Sequence, residues 1–263
     1  MKILFVGDVV GKPGRGAVCS LAPVLTKEFG LDFIVVNAEN SAGGSGITPK
    51  VTAELFSCGV DVFTSGDHIW KRREIMDIIS QEPRILRPVN YPSGAPGRGA
   101  CVYKARNGVK VGVINVQGRV FMQPLECPFK TTRLAQEELS KETKIILVDI
   151  HAEATSEKVA LGWYLDGLVS AVVGTHTHVQ TADECILPKG TAYITDLGMA
   201  GPMDSVIGRK KEEVLERFVT SVPVKFSVAE NDIQLQGVVL DIDENTGKAR
   251  SIVRIKRKLV NDK

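Results

Sequence analysis

All four histidines of the 263-residue chain stand just past the end of an apolar run. Two lie one residue apart in Gly174-Thr175-His176-Thr177-His178, after the apolar stretch 168–173; His151 follows stretch 144–150, and His68 follows 60–64 through Ser65-Gly66-Asp67. Asp8 takes the same position after 2–6, and Glu39-Asn40 after 32–37. Imidazole is the commonest metal ligand. Short apolar runs of this kind read as buried strands, and sheet proteins place their chemistry beyond the C-terminal ends of such strands. Taken singly, each residue has an ordinary explanation. A strand-end aspartate usually forms a turn or cap, Glu39 reads as a solvated loop carboxylate, and His68 as a histidine hydrogen-bonded at a helix start. Taken together those explanations are improbable, because strands lying side by side would bring all eight residues to one edge.

Carboxylate, amide and imidazole without thiolate suit Mn²⁺, iron or Zn²⁺ rather than a structural cysteine-rich zinc site. Asp8, Glu39, Asn40, Asp67, His151, His176 and His178 are too many donors for one tetrahedral ion. They fit two ions sharing a carboxylate, and two metals about 3.5–4 Å apart are a known clamp for in-line displacement at phosphorus, one generating hydroxide and both holding oxygens.

The elements that must position these residues follow the same rhythm. Strand, loop and helix alternate three times: a strand at 2–6, a loop with Gly11, Gly14 and Gly16, and a helix at about 17–29; a strand at 32–37, then a helix opened by Thr48-Pro49 and closed by Gly59; a strand at 60–64, then a helix at about 71–79. That alternation predicts a parallel or mixed sheet with helices on its faces. Arg106-Asn107-Gly108 then marks a hairpin between 101–105 and 109–115. An irregular segment, 117–130, precedes a helix at 131–140; 185–187 and 191–195 form a further hairpin; a helix at 210–218 leads to strands at 222–228, 233–241 and 249–256. The simplest architecture is one domain over 1–263: a sheet-on-sheet sandwich flanked by helices.

The totals set bounds. With 43% hydrophobic and 24% charged residues the composition is that of an ordinary globular protein, and a net charge of +2 is too mild for an electrostatically held nucleic-acid or membrane surface. The chain shows no signal peptide and no membrane-length apolar run. Cys19, Cys58, Cys101, Cys127 and Cys185 are odd in number and scattered, and read as small core residues in a reducing cytoplasm.

Gly7-Asp8, Glu39-Asn40, Gly66-Asp67-His68, His151 and the 174–178 block resemble, in order, the motif blocks of the calcineurin-like metallophosphoesterases. More narrowly, Gly7-Asp8-Val9-Val10-Gly11, Gly118-Arg119, the 151–158 stretch His-Ala-Glu-Ala-Thr-Ser-Glu-Lys, and blocks 160–164, 174–183 and 187–196 resemble YmdB-type phosphodiesterases over essentially the whole chain. The resemblance implies an α/β four-layer α/β/β/α sandwich with a dimetal site at strand C-terminal ends. It implies two metal ions per chain, iron first and manganese or zinc as alternatives, and a cytoplasmic phosphodiesterase acting on 2′,3′-cyclic nucleotides or related RNA-derived substrates, with homo-oligomers admissible and no membrane partner. By position, one ion would take Asp8, Glu39, Asn40 and His178, and the other Glu39, Asp67, His151 and His176. His68 would protonate the leaving oxygen or stabilise the transition state. Val10 stands where the superfamily has a second histidine, and Asn40 fills that coordination.

One position departs from the pattern. The family has Gly-Asn-His where this chain has Gly66-Asp67-His68. Two divalent ions with Asp8, Glu39 and Asp67 ionised leave a charge of +1, where asparagine would leave +2. A bridging hydroxide then makes the site neutral where an anionic phosphodiester must bind, unless one ion is trivalent.

Other features carry weaker expectations. Gly11 to Gly16 lacks the Gly-Lys-Ser/Thr ending of a phosphate loop and reads as a tight connection under the site. Gly43-Gly44-Ser45-Gly46 reads equally as site wall or turn, and 117–130 as a lid carrying Arg119, which would contact phosphate or form a surface ion pair. Trp70 and Trp163 read as core. Against the phosphodiesterase stand a phosphomonoesterase or protein phosphatase, and a regulatory nucleotide- or RNA-binding protein whose site is weakened at Asp67.

Overall fold

The computed structural model describes residues 1–260. In chain order its strands are β1 (Lys2–Val9), β2 (Phe33–Asn37), β3 (Val62–Thr64), β4 (Ala100–Lys104), β5 (Lys110–Gln117), β6 (Ile146–His151), β7 (Ala171–Thr175), β8 (Cys185–Ile186), β9 (Ala192–Ile194), β10 (Met199–Pro202), β11 (Ile233–Ile242) and β12 (Ala249–Lys258). The helices are α1 (Gly11–Phe29), α2 (Pro49–Ser57), α3 (Pro128–Leu139), α4 (Thr155–Leu165) and α5 (Lys211–Thr220). Two six-stranded sheets result, ordered β12-β11-β10-β1-β2-β3 and β4-β5-β6-β7-β9-β8.

Three apolar layers explain the stacking. Leu4, Val6, Ile34 and Val36 pack with Ala17, Val18 and Leu25 of α1 and Leu55 of α2 on one side of the first sheet. The alternate residues Ile3, Phe5, Phe33 and Val35 turn the other way and meet Val111, Val113, Leu147 and Val173 of the second sheet. Ile114, Val116, Val148 and Ile150 face outward again, onto Leu161 and Leu165 of α4 and Leu139 of α3. Period-two alternation buried on both faces is what a central strand between layers requires. The fold is therefore the expected four-layer α/β/β/α sandwich. Among the described residues no helix is long and apolar enough to cross a membrane.

Several boundaries differ from expectation, each for a local reason. Helix α1 begins at Gly11, absorbing the glycine loop. Gly14 lies against the Ala200 carbonyl, so helix and β10 approach closely only because no Cβ intervenes. The helix expected at 71–79 is a short 3₁₀ segment, Arg73–Asp77. Residues 222–228 pair only through an isolated Arg209–Val228 bridge and form no strand, while β10 and α4 were not expected at all. Trp163 is 57% exposed, on the outer face of α4, not in the core. Cys19 and Cys58 are not separate core residues: α1 and the end of α2 bring their Cα atoms to 4.9 Å, and they are joined by a disulfide.

Candidate metal centre

The strands β1, β2 and β3 run parallel, as do β5, β6, β7 and β9, so their C-terminal ends share one edge of the sandwich. Asp8 is the second-to-last residue of β1, Glu39 and Asn40 lie just past β2, and Asp67 and His68 just past β3. From the other sheet come His151 at the end of β6 and His176 and His178 past β7. Asp8, Glu39, Asn40 and His151 are buried, while Asp67, His68 and His176 are partly open to solvent.

Ligand atoms of Glu39, Asp67, His151 and His176 all lie within 4.8 Å of one another. His151 Nε2 stands 3.0 Å from Glu39 Oε1 and 3.4 Å from Asp67 Oδ1, and His176 Nδ1 is 2.9 Å from His151 Nε2. Beside this group, the Asn40 amide nitrogen is 3.3 Å from each of Asp8 Oδ1, Glu39 Oε1 and His178 Nε2, and His178 Nε2 is 3.5 Å from Asp8 Oδ1. Glu39 therefore belongs to both groups. Asp67 Oδ1 is buried and receives no hydrogen bond, an orphaned acceptor of the sort that a cation would satisfy. Oxygen and imidazole donors in this arrangement fit divalent cations.

The carboxylates and imidazoles of the site favour one another's charged forms. Burial opposes ionisation of Asp8 and Asp67, yet His178 beside the first and His151 beside the second hold both carboxylates well below the usual range. Burial also opposes charge on His151 and His178, but Glu39 raises the first and Asp8 the second above the ordinary imidazole value. His176 goes the other way, lowered by burial and by its neighbour His151. Cations entering such a site compete with protons on imidazole.

Each histidine has its own support. His151 Nδ1 lies 2.9 Å from Thr175 Oγ1, whose hydroxyl donates at 2.7 Å to Asp149 Oδ1. This buried relay puts the proton on Nδ1 and turns the Nε2 lone pair toward the cluster. Asp149 also accepts from Asn37 and Thr64 of the first sheet, and its buried carboxyl is pushed up to about 6. His178 Nδ1 donates to the Ile207 carbonyl at 3.0 Å. His176 and His178 both adopt positive φ, 99° and 64°, a conformation costing of order 1–3 kcal/mol that needs enforcement. It comes from Asp8, whose Oδ2 accepts the His176 N–H at 3.0 Å, and from Asp196, which accepts both Thr177 N–H and Oγ1–H and is itself paired with buried Lys158 at 2.8 Å.

A cavity of about 370 Å³ opens over the cluster, lined among others by Glu39, Asn40, His68, Glu153, His176, His178 and Arg209, within the range of about 300–1,000 Å³ typical for small-molecule sites. Arg119 is absent from its walls: the Arg119 and Val120 amides are anchored on Glu157, and the side chain is exposed. The cation on the wall is Arg209, which pairs with no carboxylate among the described residues and donates to the Gly44 carbonyl. Gly44, at φ 88°, is a seat for it, since a Cβ there would meet Arg209 Cζ at 2.8 Å. The glycine run 43–46 is thus gripped by two guanidiniums, with Arg72 donating to the Ser45 and Ala42 carbonyls from the other side.

A family model described as "YmdB-like protein" matches residues 4–255. The chain belongs to the YmdB-like family. It is 52% identical over 262 residues to a Bacillus subtilis protein named 2′,3′-cyclic-nucleotide 2′-phosphodiesterase, covering 100% of this chain and 98% of that one. Among solved structures, a hypothetical protein from Thermus thermophilus aligns with a TM-score of 0.92 at 39% identity, covering 98% of this chain and 99% of that one. A novel phosphatase from Mycoplasma pneumoniae aligns with a TM-score of 0.90 at 34% identity over 98% and 93%. Asp149 and Arg209 stand outside every motif block of the sequence, and Glu153 and Asp196 stand inside two of them, 151–158 and 187–196, with no role assigned there. Asp149 carries a local signal of its own, an acid inside the apolar run of β6.

Proposed function

We propose that this protein is a metal-dependent phosphodiesterase that opens 2′,3′-cyclic nucleotides at the 2′ ester, leaving a nucleoside 3′-phosphate. The observation that carries the reading is the convergence of Glu39, Asp67, His151 and His176, with Asp8, Asn40 and His178 beside them, beneath a small-molecule cavity whose wall carries a guanidinium paired with no carboxylate among the described residues, in a chain half identical to a protein named for that activity. Cyclic ends on RNA fragments present the same ester, and a cytoplasmic setting belongs to this reading.

Asp8, Glu39, Asn40 and His178 would hold one cation, and Glu39, Asp67, His151 and His176 a second, iron with manganese or zinc as alternatives. Bound there, such ions polarise phosphoryl oxygens and supply an activated water. The rest falls to the chain. Arg209 offers its unused N–H donors to the non-bridging oxygens of the phosphate, as a planar guanidinium suits. Asn40 and His68 manage a proton. The Asn40 Oδ1 lies 2.7 Å from His68 Nδ1 while the amide nitrogen faces three acceptors. The two ends of an amide differ only in hydrogen-bond role, and toward a cation Asn40 must present oxygen. Its N–H then donates to His68 Nδ1, and the His68 proton resides on Nε2. His68 lines the cavity, so Nε2–H is in place to protonate the departing 2′ oxygen.

The test is an assay of protein loaded with Mn²⁺, Fe²⁺ or Zn²⁺ against 2′,3′-cyclic AMP and against p-nitrophenyl phosphate. Formation of 3′-AMP with weak action on the monoester is the expected result. Hydrolysis of the monoester alone, or nucleotide binding without turnover under every metal, would overturn it.

A further inference from the structure

Of the three candidate ligand imidazoles, His151, His176 and His178, His176 has the least enclosed ring, 23% exposed, on a backbone held at φ 99°. His151 is oriented by a buried relay and His178 by a carbonyl. The His176 ring has a single partner on its outer side: Nε2 lies 3.2 Å from Glu153 Oε2. Its Nδ1 points inward, 2.9 Å from His151 Nε2 and 3.7 Å from Asp67 Oδ1. Glu153 stands two residues past His151 in the turn between β6 and α4, so the end of one strand supplies both a candidate ligand and the group that touches another. Glu153 is half exposed and pairs with no Lys or Arg among the described residues, so its carboxylate has no rival partner fixing it.

We propose that Glu153 is the positioning residue for His176. Accepting Nε2–H at 3.2 Å, it holds the imidazole in the tautomer whose Nδ1 lone pair faces Glu39, Asp67 and His151, and so controls occupancy of that half of the centre. A carboxylate behind a ligating histidine fixes ring orientation and raises ligand basicity, and its loss typically costs about 10–100-fold in metal affinity. The inference rests on the two-cation reading of the cluster.

The experiment compares wild type, Glu153→Ala and Glu153→Gln by equilibrium dialysis against Mn²⁺ or Zn²⁺ with metal counting, and by long-range ¹H–¹⁵N spectra of the four imidazoles in the Zn²⁺-loaded protein. Glu153→Ala is expected to weaken one of two ions about 10–100-fold, to leave the other in place, and to change the nitrogen pattern of one histidine, which His176→Ala identifies. Glu153→Gln, whose amide oxygen still accepts Nε2–H, is expected to recover most of the affinity. A merely structural role for this half-exposed side chain would move melting temperature instead. Wild type that takes up no metal overturns the two-cation reading and the proposal with it. Glu153→Ala that matches a two-ion wild type in affinity and imidazole spectrum overturns the proposal alone.

Discussion

The edge of the first sheet delivers Asp8, Glu39, Asn40 and Asp67; the edge of the second delivers His151, His176 and His178. Among these proposed ligands one half is oxygen and the other imidazole, so on the two-cation reading neither sheet alone would hold a complete donor set, and the centre would form only where the sandwich closes. The sheets are tied there by polar bonds rather than by the apolar core that joins them elsewhere. Asn37 and Thr64 reach Asp149, and Asn115 takes the Ser65 N–H at 2.9 Å and returns a bond to its carbonyl at 2.8 Å. Each sheet also puts a group of opposite charge on the cavity wall: Arg209 follows β10 on the acid side, and Glu153 follows β6 on the imidazole side. The contrast teaches that placement of charge, not of strands, distinguishes the halves.

The largest effect should come from the one residue of the acid edge that faces both groups. Glu39→Gln removes a shared carboxylate while preserving shape. Metal counting should show both ions weakened. Several kcal/mol of charge stabilisation are at stake, so kcat on 2′,3′-cyclic AMP should fall by on the order of 10³-fold. A variant retaining two tightly held ions would break the idea that the two halves share Glu39.

On the imidazole side the corresponding test is Asp149→Asn, which cuts the relay behind His151. Metal affinity should drop about 10–100-fold. The pH dependence adds a second readout. Burial pushes Asp149 up to about 6 from an ordinary 3.8. Between those values the folded protein keeps a proton that the unfolded chain has lost. The site therefore costs nothing below pH ~4, destabilises increasingly as pH rises, and levels off above pH ~6 at about 3 kcal/mol. Stability of wild type minus that of Asp149→Asn, measured without added metal, should fall over that window. A flat difference would show that Asp149 is ionised throughout.

Much of this was legible in the sequence, and the part that was not has a common cause. Ligand types at strand ends are local signals: Asp8, Glu39, His151 and the 174–178 block declare themselves because a polar residue after an apolar run is unusual once and improbable eight times. The paired sheets follow from the same runs. What orients the ligands is non-local. Asp149 and Thr175 form a relay only because β6 and β7 pair in one register, and Asp196 reaches Thr177 across 19 residues. Cys19 and Cys58 meet across 39 through the packing of two helices. Arg119 stands in the most loop-like segment, whereas Arg209, on the cavity wall, lies in a tight turn with Ile207 and Gly208 both at positive φ, which no local sequence signal marks.

That turn links the two edges. The Ile207 carbonyl holds His178, and Arg209 leans on Gly44 beside the acid half. Arg209→Ala should raise KM for the cyclic nucleotide about tenfold, the low end of a charged hydrogen bond of about 1.5–3 kcal/mol, with metal content unchanged. Arg119→Ala should leave KM within about twofold. The reverse ranking would return the phosphate to the 117–130 segment.

The smallest expected effect probes the acid edge itself, which carries one charge beyond what the family pattern provides. Asp67 Oδ1 faces His151 and His176 without a donor, while Oδ2 lies 3.6 Å from His68 Nε2. With two divalent ions, Asp8, Glu39 and Asp67 leave the centre at +1 before hydroxide; Asp67→Asn leaves +2. On that arithmetic the carboxylate would strengthen the hold on cations and weaken that on phosphate. Changing it to asparagine should lower KM by a few-fold, since one unit charge a few ångströms away at a solvent-exposed site is worth ~1 kcal/mol or somewhat more, and should weaken metal binding in the same measurement. Moving the two quantities in opposite directions is the signature of charge. If the variant loses metal and turnover together, Asp67 is needed as an anionic ligand and the imbalance between the edges is made up elsewhere, as by a trivalent ion facing His176.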